Sequence, residues 1–64
     1  MPVAILFRQE RLEIEGPLTL GAALAALGIP PELYLALREG LLVSVEETLY
    51  PGDTVRLVGV ISGG

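Results

Sequence analysis

The sequence predicts an α+β domain, a mixed β-sheet with one helix packed on one face. Three observations carry this. Two strand-like runs, "VAILFR" and "RLEIE", stand close together near the N-terminus. One helical pattern follows, "TLGAALAALG", with its own start and stop signals. Three more strand-like runs, separated by glycine-containing turns, complete the chain.

The run from Val3 to Arg8 is β-branched and aromatic enough for a strand. A period of two puts the bulkier Val3, Ile5 and Phe7 inward and leaves Ala4, Leu6 and Arg8 on the other face. From Arg11 to Glu15 the chain alternates strictly. Leu12 and Ile14 point one way, and Arg11, Glu13 and Glu15 the other. A short turn at Gln9-Glu10 makes the two runs a hairpin, and Gly16-Pro17 ends it.

Thr19 is a suitable N-cap. Leu20, Ala23, Leu24 and Leu27 then form one apolar stripe at helical spacing. Gly28 provides a left-handed stop and Pro30-Pro31 forbid continuation. The rest of the helix is mostly alanine, where a solvated helix usually carries charge; high helix propensity accounts for it, and a second protein surface is the alternative.

"LYLALREG" reads as the third strand. Its larger Leu35 and Leu37 are placed inward, with Tyr34, Ala36 and Arg38 outward. Glu39-Gly40 makes a tight turn into a short return strand, "LLVS". "YPGD" has proline and glycine at the central positions of a type II turn. The last strand, "TVRLVGVI", points Val55 and Leu57 inward and Arg56 and Val58 outward, and Gly59 weakens it where it leaves the sheet.

The order β-β-α-β-β-β cannot make a fully parallel sheet. It fits a β-grasp, with residues 1–59 as the domain and residues 60–64 as a flexible tail ending in Gly-Gly. In that arrangement the first and last strands are adjacent at the centre, with the third beside the last. The helix-free face would then hold Ala4, Leu6, Arg8, Arg56, Val58, Ala36 and Arg38.

Composition narrows the chemistry. The 64 residues include no cysteine, histidine or lysine. That removes thiol nucleophiles, thiolate metal sites and the commonest general base. Eight acidic residues against four arginines give a net charge of −4, a poor basis for binding nucleic acid directly. No run is long enough to span a bilayer, and the N-terminus lacks a signal-peptide pattern, so a soluble cytoplasmic protein is expected. Glu13 with Glu15, and Glu46 with Glu47, read as solvated surface rather than as acid–base or metal sites. Ser44 and Ser62 have no histidine or lysine to activate them. The chain is not expected to be an enzyme by itself, and no metal site is expected.

Attention passes to Gly63-Gly64. Glycine lacks a Cβ, so its backbone can thread a narrow channel and present a terminal carboxylate to another protein's active site. A frayed end is the plain alternative.

The strand order, the length, the "YPGDTV" turn into the last strand and the ending "ISGG" together resemble the prokaryotic ubiquitin-like sulfur carriers. These serve thiamine-thiazole, molybdopterin and tRNA 2-thiouridine synthesis. The resemblance covers the whole chain. "RLEIEG", "LREGLLVS" and "ISGG" look closest to the tRNA-thiolation carrier, and "TVRLVGVISGG" is similar to the end of ubiquitin itself. The resemblance implies that a partner adenylates Gly64, with Gly63 giving access, and that the product becomes a thiocarboxylate. It implies three kinds of partner: an adenylyltransferase related to ubiquitin-activating enzymes, a cysteine desulfurase or rhodanese-type sulfur donor, and a sulfur-accepting enzyme. ATP and Mg²⁺ would belong to the activating partner, with no cofactor held by this chain.

Leu6, Arg8, Arg38, Arg56 and Val58 on the helix-free face are the expected partner-docking residues, an apolar centre rimmed by arginine. Two other functions fit the sequence. One is a protein modifier, joined through Gly64 to lysines of other proteins. The other is a non-covalent binding module with an incidental tail.

Overall fold

The computed structural model describes residues 1–60. Strands β1 (Val3–Phe7), β2 (Glu10–Ile14) and β3 (Leu18–Thr19) precede helix α1 (Leu20–Leu27). A 3₁₀ turn (Pro31–Leu33) leads into β4 (Tyr34–Arg38), followed by β5 (Leu41–Val43), β6 (Thr48–Leu49) and β7 (Thr54–Gly59). Five strands form one sheet in the order β2-β1-β7-β4-β5, and β3 pairs with β6 in a small second ladder. β1 and β7 run parallel at the centre, and the other neighbours in the large sheet are antiparallel. This is the mixed sheet with one helix that the element order predicts.

The first hairpin turns one residue earlier than its pattern predicts. Phe7 pairs with Glu10, so Arg8 and Gln9 make the loop. Arg8 takes φ 61°, a left-handed conformation costing roughly 1–2 kcal/mol for a non-glycine residue. Its guanidinium lies 5.1 Å from the centre of the Phe7 ring, a cation–π contact that helps offset this cost.

Helix α1 is held at both ends by its own neighbours. The Thr19 hydroxyl oxygen accepts from Ala22 N at 3.1 Å. Leu20 N donates to Glu47 O and Gly21 N to Val45 O, each at 2.9 Å. The three N–H groups that open the helix are thus satisfied within the domain. Gly21 also permits a close approach, since a Cβ there would meet Val45 O at 3.2 Å. At the far end Gly28 is left-handed at φ 73°, and Ile29 N donates back to Leu24 O at 2.9 Å. A Cβ at Gly28 would touch nothing within 4 Å. Gly28→Ala should therefore cost only the conformational penalty, about 1 kcal/mol, read as a lowered urea midpoint with an unchanged slope.

The core lies between the sheet and the helix. Val3 and Ile5 of β1, Val55 and Leu57 of β7, Leu20, Ala23 and Leu24 of α1, Ile29 and Leu49 are buried together. Phe7, Leu12, Ile14 and Leu27 pack against them. The inward positions of the first, second and last strands and the helical stripe are those that periodicity predicts.

β4, the third strand expected from the sequence, turns its other face to the core. Ala36 is 5% exposed and Leu35 is 47% exposed, the reverse of the expected arrangement. Ala36 pairs with Leu57 on one side and Val43 on the other, both buried. These neighbours fill the space and leave room for a methyl group. Tyr34, on the same side, meets Phe7 edge-on, with ring centres 5.1 Å apart and planes at 81°.

Two turns conform to their sequences. Glu39 and Gly40 have φ 55° and 82°, the two positive values of a tight hairpin turn. In "YPGD", Gly52 has φ 95° and Asp53 N donates to Tyr50 O at 2.9 Å.

Candidate functional site

The helix-free face is a continuous surface. Strand register sets Arg11, Leu6, Arg56, Leu37 and Leu42 in one row across β2, β1, β7, β4 and β5. Leu35 and Val58 pair in the next row. Of these, Leu35, Leu42 and Val58 are exposed, and Leu6 and Leu37 are half-buried. Five aliphatic side chains thus share a face in which Arg56 is embedded. Gathered apolar side chains of this extent ordinarily mark a contact surface.

Four of the five expected docking residues belong here. Leu6, Arg8, Arg56 and Val58 line one groove beside the β1–β2 turn. Arg38 does not. Because Ala36 faces the core, Arg38 two residues on leaves the sheet on the helix side. There it donates to Glu47 Oε2 at 2.8 Å and Asp53 Oδ2 at 3.2 Å. Asp53 Oδ2 also accepts from Tyr50 N at 2.9 Å. Arg38 therefore clamps β4 to the turns before β6 and β7. Arg38→Ala should cost about 1–2 kcal/mol by leaving half-buried Asp53 without its cation, seen as an earlier urea transition.

Ala4 lies on the helix-free side but is only 1% exposed. It sits in register between Glu13 and Thr54, whose longer side chains flank its methyl. Leu35, Leu37 and Leu42 were not among the predicted docking residues. The reversed face of β4 supplies the first two, and the β4–β5 register supplies Leu42.

The arginines divide by partner. Arg38 holds two carboxylates, and Arg11 meets Glu13 at 3.3 Å on the surface. Among the described residues Arg8 and Arg56 make no ion pair, in a chain with eight acidic side chains. Both line the groove with Leu6 and Val58. The groove thus offers Arg56, without an ion-pair partner, beside aliphatic surface, with Arg8, Glu10 and Arg11 also on its lining, a pattern suited to a partner segment that carries apolar and acidic side chains.

Among the described residues no group of three or more potential metal ligands occurs, and no charged or polar residue is buried. Glu47, one of the paired carboxylates of the sequence, is tied to Arg38 and to Ser44 N. No helix among the described residues is long and apolar enough to cross a membrane. Gly59 stays in the sheet, paired with Tyr34, and Val60 N donates to Leu33 O at 2.9 Å. The chain is therefore held one residue further than the sequence predicts. Ser62, Gly63 and Gly64 lie outside the described residues.

Known folds resemble this one over its whole length. A de novo designed protein based on ubiquitin superposes with a TM-score of 0.67 at 23% identity, covering 98% of this chain and 92% of the design. The ubiquitin of Caldiarchaeum subterraneum superposes with a TM-score of 0.63, also at 23% identity, covering 100% of this chain and 98% of that one. No family model matches the sequence, and no curated protein matches it. Two such neighbours, the five-strand order and the single capped helix establish the architecture: the chain has the ubiquitin-like β-grasp fold.

Proposed function

We propose that this protein is a sulfur carrier, a co-substrate whose Gly64 carboxylate is activated by a partner enzyme and converted to a thiocarboxylate. The observation that carries this reading is the course of β7. This central strand carries Arg56 and Val58 of the aliphatic and arginine-bearing face, and "ISGG" follows it closely in the sequence. A partner seated on Leu6, Arg56 and Val58 would hold the strand that precedes the Gly64 end in the sequence.

The chemistry is that of an activated acid. A carboxylate oxygen of Gly64 attacks the α-phosphorus of ATP, pyrophosphate leaves, and an acyl-adenylate forms. The terminal sulfur of a donor persulfide then displaces AMP. A thiol reduces the resulting acyl disulfide, releasing the thiocarboxylate and forming a disulfide with the donor. This chain contributes the docking face and the reactive end. ATP, Mg²⁺ and the sulfur donor belong to its partners, and the sulfur passes to a downstream accepting enzyme in tRNA thiolation or in thiamine or molybdopterin synthesis. The setting is cytoplasmic.

Intact mass of the protein from its native host tests the proposal. The expected result is a species heavier by the exchange of one oxygen for sulfur, localised to Gly64. The reading fails if the cognate adenylating enzyme with ATP releases equal pyrophosphate from the intact chain and from one lacking Gly64.

A second reading is favoured by the name of one neighbour, a ubiquitin. Gly64 would then form isopeptide bonds to lysines of other proteins, beginning from the same adenylate. With no lysine of its own, the chain could not build polymers through its side chains. Immunoblots of native extract distinguish this reading by a ladder of conjugates that disappears when Gly64 is deleted.

A further inference from the structure

The large sheet has two edges, and the sequence treats them differently. β2 carries Glu10, Arg11 and Glu13 among five residues, and charges along an edge discourage another strand from adding to it. β5 forms the other edge, within a run from Gly40 to Val45 that contains no charge and no proline. Leu41 is 72% exposed and Leu42 is 64% exposed. They point to opposite faces: Leu42 pairs with Leu37 on the helix-free side, and Leu41 pairs with Arg38 on the helix side. Apolar side chains thus flank an open backbone edge on both faces.

We propose that this edge pairs with the β5 edge of a second copy, antiparallel and centred on Leu42, to make one continuous sheet through both molecules. Three features favour a second copy as the occupant. Two-fold pairing sets Leu42 against its own counterpart and Leu41 against Val43 at each side, so every directly opposed pair is aliphatic. The row Leu6, Arg56, Leu37 and Leu42 ends at this edge, so the pairing carries its aliphatic surface on into the second copy. The run from Gly40 to Val45 is uncharged, so the pairing opposes no carboxylates at the contact itself, and the net charge of −4 on each copy acts only as a longer-range repulsion that salt screens.

The contact is small. A three-residue ladder with two exposed leucines per copy falls below the ~1,200 Å² total of a standard stable interface. The expected dimer is weak, with a Kd between about 10 µM and about 1 mM. It leaves Arg8, Arg56 and Val58 uncovered, so it is compatible with partner docking and does not depend on it.

Sedimentation equilibrium of the full chain over about 10 µM to about 1 mM tests this. The expected result is a mass rising toward that of a dimer. The rise should be stronger in about 0.5 M salt, because screening weakens repulsion between the acidic copies. Amide exchange at Leu41–Val43 should slow as concentration rises. Leu42→Lys opposes two ammonium groups across the axis and should weaken association at least about tenfold. Leu41→Lys should do the same, and circular dichroism should show both variants folded. Val58→Ser, separated from β5 by β4, should associate as the parent does. A chain that stays monomeric throughout would overturn the proposal, including the case in which a different polypeptide covers this edge. So would association that Leu42→Lys leaves unchanged.

Discussion

Ala36→Asp will unfold the domain, whereas Leu35→Asp, one residue earlier, will leave it folded. Ala36 is almost fully buried between Leu57 and Val43. A carboxylate there would lose its water, and Arg38, the cation two residues on along the same face, is already held by Glu47 and Asp53, so the cost is several kcal/mol. A 64-residue domain has roughly 3–10 kcal/mol of stability in total, so this one change consumes most of it. Leu35 faces solvent beside Val58. Aspartate there loses some strand propensity and exposes less apolar surface, a net effect within about 1 kcal/mol. Circular dichroism and a urea titration of both variants would settle which face of β4 is inside. An unfolded Leu35→Asp with a folded Ala36→Asp would reverse the assignment.

That contrast shows where the sequence is informative and where it is not. β2 alternates strictly from Arg11, and in β1 and β7 the outward Ala4, Thr54 and Arg56 are small or polar even though Leu6 and Val58 are not, so the core face can be read from the sequence. In β4 the alternation sets Tyr34, Ala36 and Arg38 against Leu35 and Leu37, and size alone points the leucines inward. The deciding facts are non-local. Position 36 lies between two filled neighbours, Tyr34 has a ring partner in Phe7, and Arg38 has two carboxylates to reach. None of these is visible along the chain. Arg38 in particular looks like a third docking arginine until its partners Glu47 and Asp53 are brought beside it. The helix was fully legible because its caps, Thr19 and Gly28, are local signals. The β3–β6 ladder was not, since two residues per strand carry no period. For the helix-free face, Leu6, Arg56 and Val58 followed from the two central strands, while Leu35, Leu37 and Leu42 needed the register.

Val58→Glu and Leu6→Glu are each expected to lower kcat/KM for adenylation of Gly64 by at least about 30-fold, the effect of losing a central interface contact worth about 2 kcal/mol. Both side chains lie on the helix-free face beside Arg56, and neither belongs to the buried cluster. Their loss should therefore leave the urea transition within about 1 kcal/mol of the parent. Arg56→Ala should act differently, because a long-range cation contributes to encounter as well as to the seated complex. Its defect should shrink as salt is raised, whereas the defect from Val58→Glu should persist where an aliphatic contact has been lost. Arg38→Ala is the necessary contrast: its two ion pairs lie within the domain, so it should lower stability and leave the adenylation rate of the folded protein unchanged. Normal adenylation of Val58→Glu and Leu6→Glu would remove this face from the docking surface. Slow adenylation of a fully folded Arg38→Ala would show that the partner reaches around to the helix side of β4.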